Sequence, residues 1–389
     1  MHVAIIAEYN PLHNGHAYQI EHVRRTFGAD TVITVILGGI FSQRGEPYIA
    51  PPYVRAEAAL AAGADLVLEL PFPFSSAPAN IFARAGVEIA EKIGADVLAF
   101  GSECGDLDKL EAVCTRLDSD ELQAALTAAM ADKTNAARGK TRLYPLVYAK
   151  LYGEDAPILP NDILALEYLR AIRRGGAKIK PYTVQRIGDY KSGEGGFASA
   201  TSLRNAYAKG GIEALRGEIP DAVFPLLQKA HVNGWLAPDV EKLAGAVLLK
   251  LHAIAEDADI AFSGGGLLGR LRQSARTAGS IAELTALAAT KRYTDAEIAR
   301  CLLYTLFSVT RADLDAPVHY TRLLAMNARG RSILAQKHAI EILTKPSATD
   351  KLSDAAHAQY TKTFAAERAY ALCLPKAYDH IRQTPRIQK

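Results

Sequence analysis

The first hundred residues alternate short apolar runs with amphipathic stretches. Residues 2–7 (HVAIIA) are continuously apolar, while residues 16–28 (HAYQIEHVRRTFG) put Ala17, Ile20, Val23 and Phe27 on one face and Glu21, Arg24 and Arg25 elsewhere. The first pattern predicts a buried strand and the second a helix. The alternation continues through 30–37 (DTVITVIL), 54–63 (VRAEAALAAG), 65–70 (DLVLEL), 79–94 (ANIFARAGVEIAEKIG) and 96–101 (DVLAFG). Fully apolar strands between helices imply a parallel sheet covered on both faces, a doubly wound α/β domain. In such sheets ligands gather at the carboxyl ends of the strands. Those ends read AEYNPLHNGH, GGIFSQRGEP (38–47), PFPFSSAPAN (71–80) and GSECGD (101–106), and three of the four are polar or glycine-rich.

Further on, 159–176 (LPNDILALEYLRAIRRGG) predicts an amphipathic helix with Asn161 or Asp162 as its N-cap, and 178–187 (KIKPYTVQRI) a last strand. Residues 188–202 are a Gly/Ser-rich loop that stops at another helix, LRNAYAKGG. Beyond about residue 220 the period changes. Residues 244–261, 266–289, 294–314 and 330–343 all carry helical periodicity with no strand between them. The expected division is 1–220, a nucleotide-binding α/β domain, and 221–389, a mainly α-helical domain.

Composition adds limits. The chain has 389 residues, 49% of them apolar and 22% charged, a globular balance. No stretch approaches the roughly 18 apolar residues that span a bilayer, so no membrane partner is expected. Cys104, Cys114, Cys301 and Cys373 lack paired spacing, which predicts neither a disulfide framework nor a zinc site and suits a reducing cytoplasm. The net charge of +3 is unevenly spread: from position 291 onward there are 16 Lys and Arg against 9 Asp and Glu (+7), and before it 29 against 33 (−4). A basic last quarter points toward a polyanionic partner.

Three phosphate-binding devices can be tested against the chain. A Walker loop would need glycine where Thr134 precedes Gly139-Lys140-Thr141. The Gly-x-Gly-x-x-Gly fingerprint is absent after the first strand, and SGGGLLGR (263–270) follows helical sequence. What stands at the first strand-to-helix turn is His13-Asn14-Gly15-His16. Imidazole N–H groups can donate to phosphate oxygens, and a helix starting near Gly15 would aim free backbone N–H groups and its positive dipole end at the same place. Gly15 would let a phosphate chain approach the backbone. Such donors can stabilise a crowded, negatively charged phosphorus without covalent chemistry.

His-x-Gly-His at this turn resembles the nucleotidylyltransferase superfamily, whose HUP-type doubly wound fold is shared with class I aminoacyl-tRNA synthetases. That resemblance implies a second phosphate clamp at SATSLR (199–204), with Ser199, Thr201, Ser202 and Arg204. A closer resemblance spans nearly the whole chain: EYNPLHNGH, GGIFSQRGEPYI, RAEAALAAGADLVLELP, GADVLAFGSE, LPNDILALEY, SATSLR and YTRLLAMNARGRSIL are similar to the bacterial tRNA(Met) cytidine acetate ligase family. It implies that ATP and acetate form acetyl-adenylate and pyrophosphate, and that the acetyl group passes to the wobble cytidine of elongator tRNA(Met).

Carried over to this chain, His13 and His16 are the catalytic pair. The ATP site takes Ala7, Glu8, Tyr9, Asn10, Pro11, Leu12, His13, Asn14, Gly15, His16, Ala17, Tyr18, Gln19 and Ile20, then Gly101, Asn161, Arg186, Thr201, Ser202 and Arg204. Mg²⁺ is expected to accompany the triphosphate through phosphate oxygens and water, with no protein cage. For tRNA the basic last quarter offers Lys291, Arg292, Arg300, Arg322, Arg329, Arg331 and Lys337, with Lys291 and Arg292 first because Tyr293 adds a stacking surface. The alternative expectation is adenylyl or cytidylyl transfer to a phosphorylated small metabolite.

Overall fold

The computed structural model describes residues 1–135, 140–153, 159–187, 196–290, 292–379 and 383–388. Lys291, Gly139 and residues 188–195 of the Gly/Ser-rich loop lie outside them.

Five parallel strands form the centre of one sheet: β1 (His2–Ala7), β2 (Val32–Gly38), β3 (Leu66–Leu70), β4 (Val97–Ser102) and β5 (Lys180–Gln185), in the order β5-β4-β1-β2-β3. Alternate residues feed two cores. Ala4, Ile6 and Ile36 enter one apolar layer, whereas Val3, Ile5, Ile33, Val35 and Leu37 enter the other. Each face is closed by helices, among them α1 (Asn14–Phe27), α2 (Pro52–Ala61) and α3 (Ala79–Lys92). This is the doubly wound arrangement that the alternating pattern predicts.

The last third departs from expectation. β6 (Tyr320–Met326) joins the same sheet antiparallel to β3, and β7 (Glu341–Leu343) and β8 (Arg386–Ile387) pair parallel with β6. The sheet is therefore mixed, and β5 is not its last strand. It also takes strands from both sides of position 220. The helical periodicity over 330–343 breaks at Leu334, where one helix ends, and residues 341–343 are β7.

Arg322 hid β6 from the pattern, since a basic residue inside an apolar run reads as a surface position. Its guanidinium is instead buried across the β3–β6 ladder, with Nε 2.9 Å from Glu69 Oε2 and Nη2 2.9 Å from Glu69 Oε1. It also pairs with Glu367 from the long helix Asp354–Cys373. A charge sits in a core only when partnered in this way. That helix seals the sheet edge further through the Thr363 and Tyr370 hydroxyls, which donate to the carbonyls of Phe72 and Tyr48 at 2.9 Å each.

The chain runs β1 to β2 to β3 on one side and then crosses to β4 on the other. The loops after β1 and β4 diverge at this reversal and open a crevice at the strands' carboxyl ends.

Candidate active site

The crevice comprises two adjoining chambers, and Glu8, His13, His16, Asn161 and Arg186 line both. The first also takes Ala7, Gly15, Tyr18, Gln19 and Gly101. The second adds Tyr9, Asn10, Ser199, Thr201 and Arg204. So most of the residues singled out from sequence converge. Pro11, Leu12, Asn14, Ala17, Ile20 and Ser202 are not on either wall. Leu12 and Ile20 are core residues, and Asn14 donates through Nδ2 to the Gly217 carbonyl at 2.8 Å.

The two histidines build the turn they occupy. His13 is the N-cap of α1, and its Nδ1 accepts from the Gly15 N–H at 3.1 Å. His16 Nδ1 accepts reciprocally from the His13 N–H at 3.3 Å. This is a capping box made from imidazoles, the rings lying 3.8 Å apart. Because each Nδ1 is an acceptor, each neutral ring carries its proton on Nε2. Burial pushes His13 down to about 4, with the Arg186 charge adding to it. Burial likewise holds His16 well below the ordinary imidazole range, with His13 and Arg186 next in weight. Both are therefore neutral N–H donors at neutral pH.

The helix starts one residue before the expected Gly15, and its first backbone donors are already committed. Asn14 N–H donates to the Glu218 carbonyl, Gly15 N–H to His13 Nδ1, and His16 N–H to the His13 carbonyl. The expected cradle of free main-chain N–H groups is thus replaced by two Nε2–H groups backed by the dipole. Gly15 lines the first chamber, and it also sits in a tight place: a Cβ there would lie 3.1 Å from His13 Cε1 and 3.2 Å from Phe197 Cβ. At Gly101 a Cβ would meet nothing nearer than 3.7 Å, so the protein does not require glycine there and the missing side chain leaves the cleft wall open.

At the second turn Ser199 caps the helix Ala200–Gly210, accepting from Ser202 N–H at 3.1 Å. The Ser202 hydroxyl donates back to the Ser199 carbonyl at 2.8 Å. Arg204 is anchored by donation to the Asn10 carbonyl at 2.9 Å and to Thr201 Oγ1 at 3.3 Å. Arg186 follows β5, its N–H bound to the Ser102 carbonyl at 3.0 Å and its side chain exposed.

Asn161 and Asp162 do not cap their helix, Pro160–Gly175. Glu103 does so from the loop after β4, accepting from Asn161 Nδ2 at 2.6 Å and from Asp162 N–H at 2.8 Å. Asn161 is left with its carboxamide oxygen as the acceptor available to a ligand. Sequence reasoning also missed Ser42, Gln43 and Arg44 on the chamber walls, together with Tyr168 and Phe197. The loop GGIFSQRGEP had placed the first three at a strand's carboxyl end, and nothing in its pattern marked which residues turn inward.

Among the basic residues of the last quarter, Arg322 is buried as described. Arg300 donates to the Gln43 carbonyl at 2.7 Å, and Arg329 pairs with the buried Asp65 at 3.1 Å while remaining half exposed. Arg331 and Lys337 are exposed, as is Arg292, which lies 5.6 Å from the Tyr293 ring centroid.

Comparison with known proteins agrees with this geometry. The HIGH Nucleotidyl Transferase family matches residues 1–384. A tRNA(Met) cytidine acetate ligase from Caldanaerobacter subterraneus subsp. tengcongensis is 33% identical over 88% of each chain. One from Lysinibacillus sphaericus is 30% identical over 99% of each. The crystal structure of Thermotoga maritima TmcAL bound with alpha-thio ATP superposes with a TM-score of 0.89 at 26% identity, covering 99% of both chains. The chain belongs to the HIGH nucleotidyl transferases and, within them, to the tRNA(Met) cytidine acetate ligase family.

Proposed function

We propose that the protein is an ATP-dependent ligase that acetylates the wobble cytidine of elongator tRNA(Met) to N4-acetylcytidine by way of acetyl-adenylate. The observation that carries this reading is the pair of neutral imidazoles whose Nδ1 atoms are spent in the capping box, leaving two Nε2–H donors on a wall shared by both chambers.

In the first step an acetate oxygen attacks the α-phosphorus, the new O–P bond forms, and the bond to pyrophosphate breaks. His13 and His16 donate to the phosphate oxygens as charge builds, and Arg186 and Arg204 neutralise the chain and the leaving group. No side-chain nucleophile is needed. In the second step the cytidine amine attacks the acetyl carbonyl and AMP leaves. Among the described residues no group of three His, Cys, Asp or Glu could hold a metal ion. The cleft's imidazole N–H and guanidinium groups are donors, with the Glu8 and Glu46 carboxylates and the Asn161 carboxamide oxygen among the described groups able to ligate a cation, so Mg²⁺ would be carried mainly by phosphate oxygens and water.

Residues 1–220 would supply the adenylation site and 221–389 the main tRNA-contacting surface, with exposed Arg292 and the Tyr293 ring in that surface. No helix among the described residues is long and apolar enough to cross a membrane, and the four cysteines are unpaired; both fit work on tRNA in the cytoplasm.

The test is incubation with radiolabelled acetate, ATP and total tRNA. Label in elongator tRNA(Met) alone is the expected result, together with acetate-dependent ATP–pyrophosphate exchange. Exchange that requires a phosphorylated metabolite in place of acetate would overturn the reading.

A further inference from the structure

We propose that Glu8 is the proton acceptor of the acetyl-transfer step, a role that rests on the ligase reading above. When the cytidine amine attacks, a C–N bond forms, the bond from the acetyl carbon to the AMP oxygen breaks with its electron pair leaving on AMP, and one amine proton must go to a base. The two imidazoles cannot take it. Each Nδ1 lone pair already accepts a backbone N–H, and each Nε2 already bears hydrogen. The arginines on the walls are donors only. Among the described residues two carboxylates remain on the walls, Glu8 and Glu46, and Glu46 is exposed on the second chamber alone.

Glu8 is held from three directions. Its carbonyl accepts from Arg55 Nη1 at 2.8 Å, and its Oε1 accepts from the Gln43 N–H at 2.9 Å and the Tyr48 hydroxyl at 3.0 Å. Oε2 has no such partner among the described residues, and Glu8 is one of the five residues common to both chambers. A carboxylate fixed by one oxygen and open at the other, beside the phosphate-facing imidazoles, has the geometry of a general base.

Its surroundings suit the task. Desolvation raises the Glu8 carboxyl above the ordinary carboxylate range, against the opposing pull of Gln43, Tyr48, Arg55 and Arg204. Tyr168 interacts with it from the helix Pro160–Gly175, and His13, His16 and Arg186 share its wall. A raised pKa makes the ionised form a stronger base.

Glu8→Gln is the informative variant, because its amide oxygen can still accept from Gln43 and Tyr48 while only Oε2 is replaced. Two half-reactions are compared: acetate-dependent ATP–pyrophosphate exchange without tRNA, and single-turnover transfer from enzyme-bound acetyl-adenylate to tRNA. The expected result is a transfer rate reduced roughly 10²-fold or more beyond any loss in exchange. The rise of the wild-type transfer rate with pH through the carboxyl's titration should vanish with it.

Tyr48→Phe supplies a second readout. Removing the hydroxyl that favours the ionised carboxylate should move that rise to higher pH. Equal losses in both half-reactions would overturn the proposal by making Glu8 a nucleotide contact. Undiminished transfer in Glu8→Gln would also overturn it, the proton then leaving with AMP or to water. Absence of acetate-dependent exchange in the wild type would defeat the ligase reading itself, a result distinct from either.

Discussion

The cleft is built on two helix starts that solve the same problem with different side chains. At Asn14–Phe27 the orphan backbone donors are satisfied by imidazoles, and at Ala200–Gly210 by hydroxyls. An imidazole has two nitrogens on different edges, so Nδ1 can close the cap while Nε2–H remains for a ligand. A serine hydroxyl has one proton. Ser202 gives its proton to the Ser199 carbonyl, and the residue drops off the chamber wall. The lesson is that a side chain used to build a turn can still line the cleft, as the cap Ser199 does while its Oγ accepts from Ser202 N–H. The second turn reaches the cleft through the cap and its neighbours: Ser199 and Thr201 line the chamber, and Arg204 reaches across to the Asn10 carbonyl of the first turn.

The largest effect expected of this contrast is at His16. His16→Ala removes one Nε2–H donor and the acceptor for the His13 N–H, and should lower acetate-dependent ATP–pyrophosphate exchange roughly 10²–10³-fold. The lost cap bond should cost about 1 kcal/mol in urea unfolding. Exchange at the wild-type rate in a folded variant would mean that phosphate is held elsewhere.

The next effect is on stability, and only the first turn should show it. His13 is depressed from 6.5 to about 4 in the folded chain, chiefly by burial and secondarily by Arg186. Between those values the unfolded chain binds a proton that the folded imidazole refuses. Stability therefore falls as pH falls from 6.5 toward 4, by about 1.4 kcal/mol per pH unit for one such group. His16 is depressed in the same direction and adds to the slope. Urea unfolding at pH 7, 6 and 5 should show the decline, and His13→Gln should flatten it by about one proton's worth. An unchanged slope in that variant would place the titration elsewhere.

Much of this was legible beforehand because it depends on local period. The five parallel strands, the crevice at their carboxyl ends and the imidazole pair follow from apolar runs and a motif within a few residues. What escaped notice depends on partners far apart in the chain. β6 was invisible because Arg322 looks like a surface residue until Glu69 and Glu367 are brought to it. The start of Pro160–Gly175 seemed to offer its own caps, but the capping carboxylate is Glu103, more than fifty positions earlier. The basic count of the last quarter included Arg300, which is tied to the Gln43 carbonyl, and Arg329, which pairs with Asp65 while staying half exposed. Charge patterning reports composition, whereas exposure is decided by tertiary pairing.

The smallest effect is the one that sharpens the contrast most. Ser202→Ala leaves the Ser202 N–H to Ser199 Oγ bond in place and removes the hydroxyl's donation to the Ser199 carbonyl together with the long bond it accepts from Ser199 Oγ at 3.4 Å. A single partly buried neutral hydrogen bond of this kind contributes about 0.5–1 kcal/mol, so a small drop in Tm is expected. Exchange should change less than about threefold, well below the tenfold that one lost charge-stabilising contact of about 1.4 kcal/mol produces. Thr201→Ala, made in parallel, should weaken exchange more than Ser202→Ala, because Thr201 faces the chamber and also receives Arg204 Nη2. If Ser202→Ala proved the more damaging, its hydroxyl would have to leave the Ser199 carbonyl when nucleotide binds. The second turn would then lend the ligand a hydroxyl from its first helical turn, as the first turn lends its imidazoles, and the contrast between the two turns would fail.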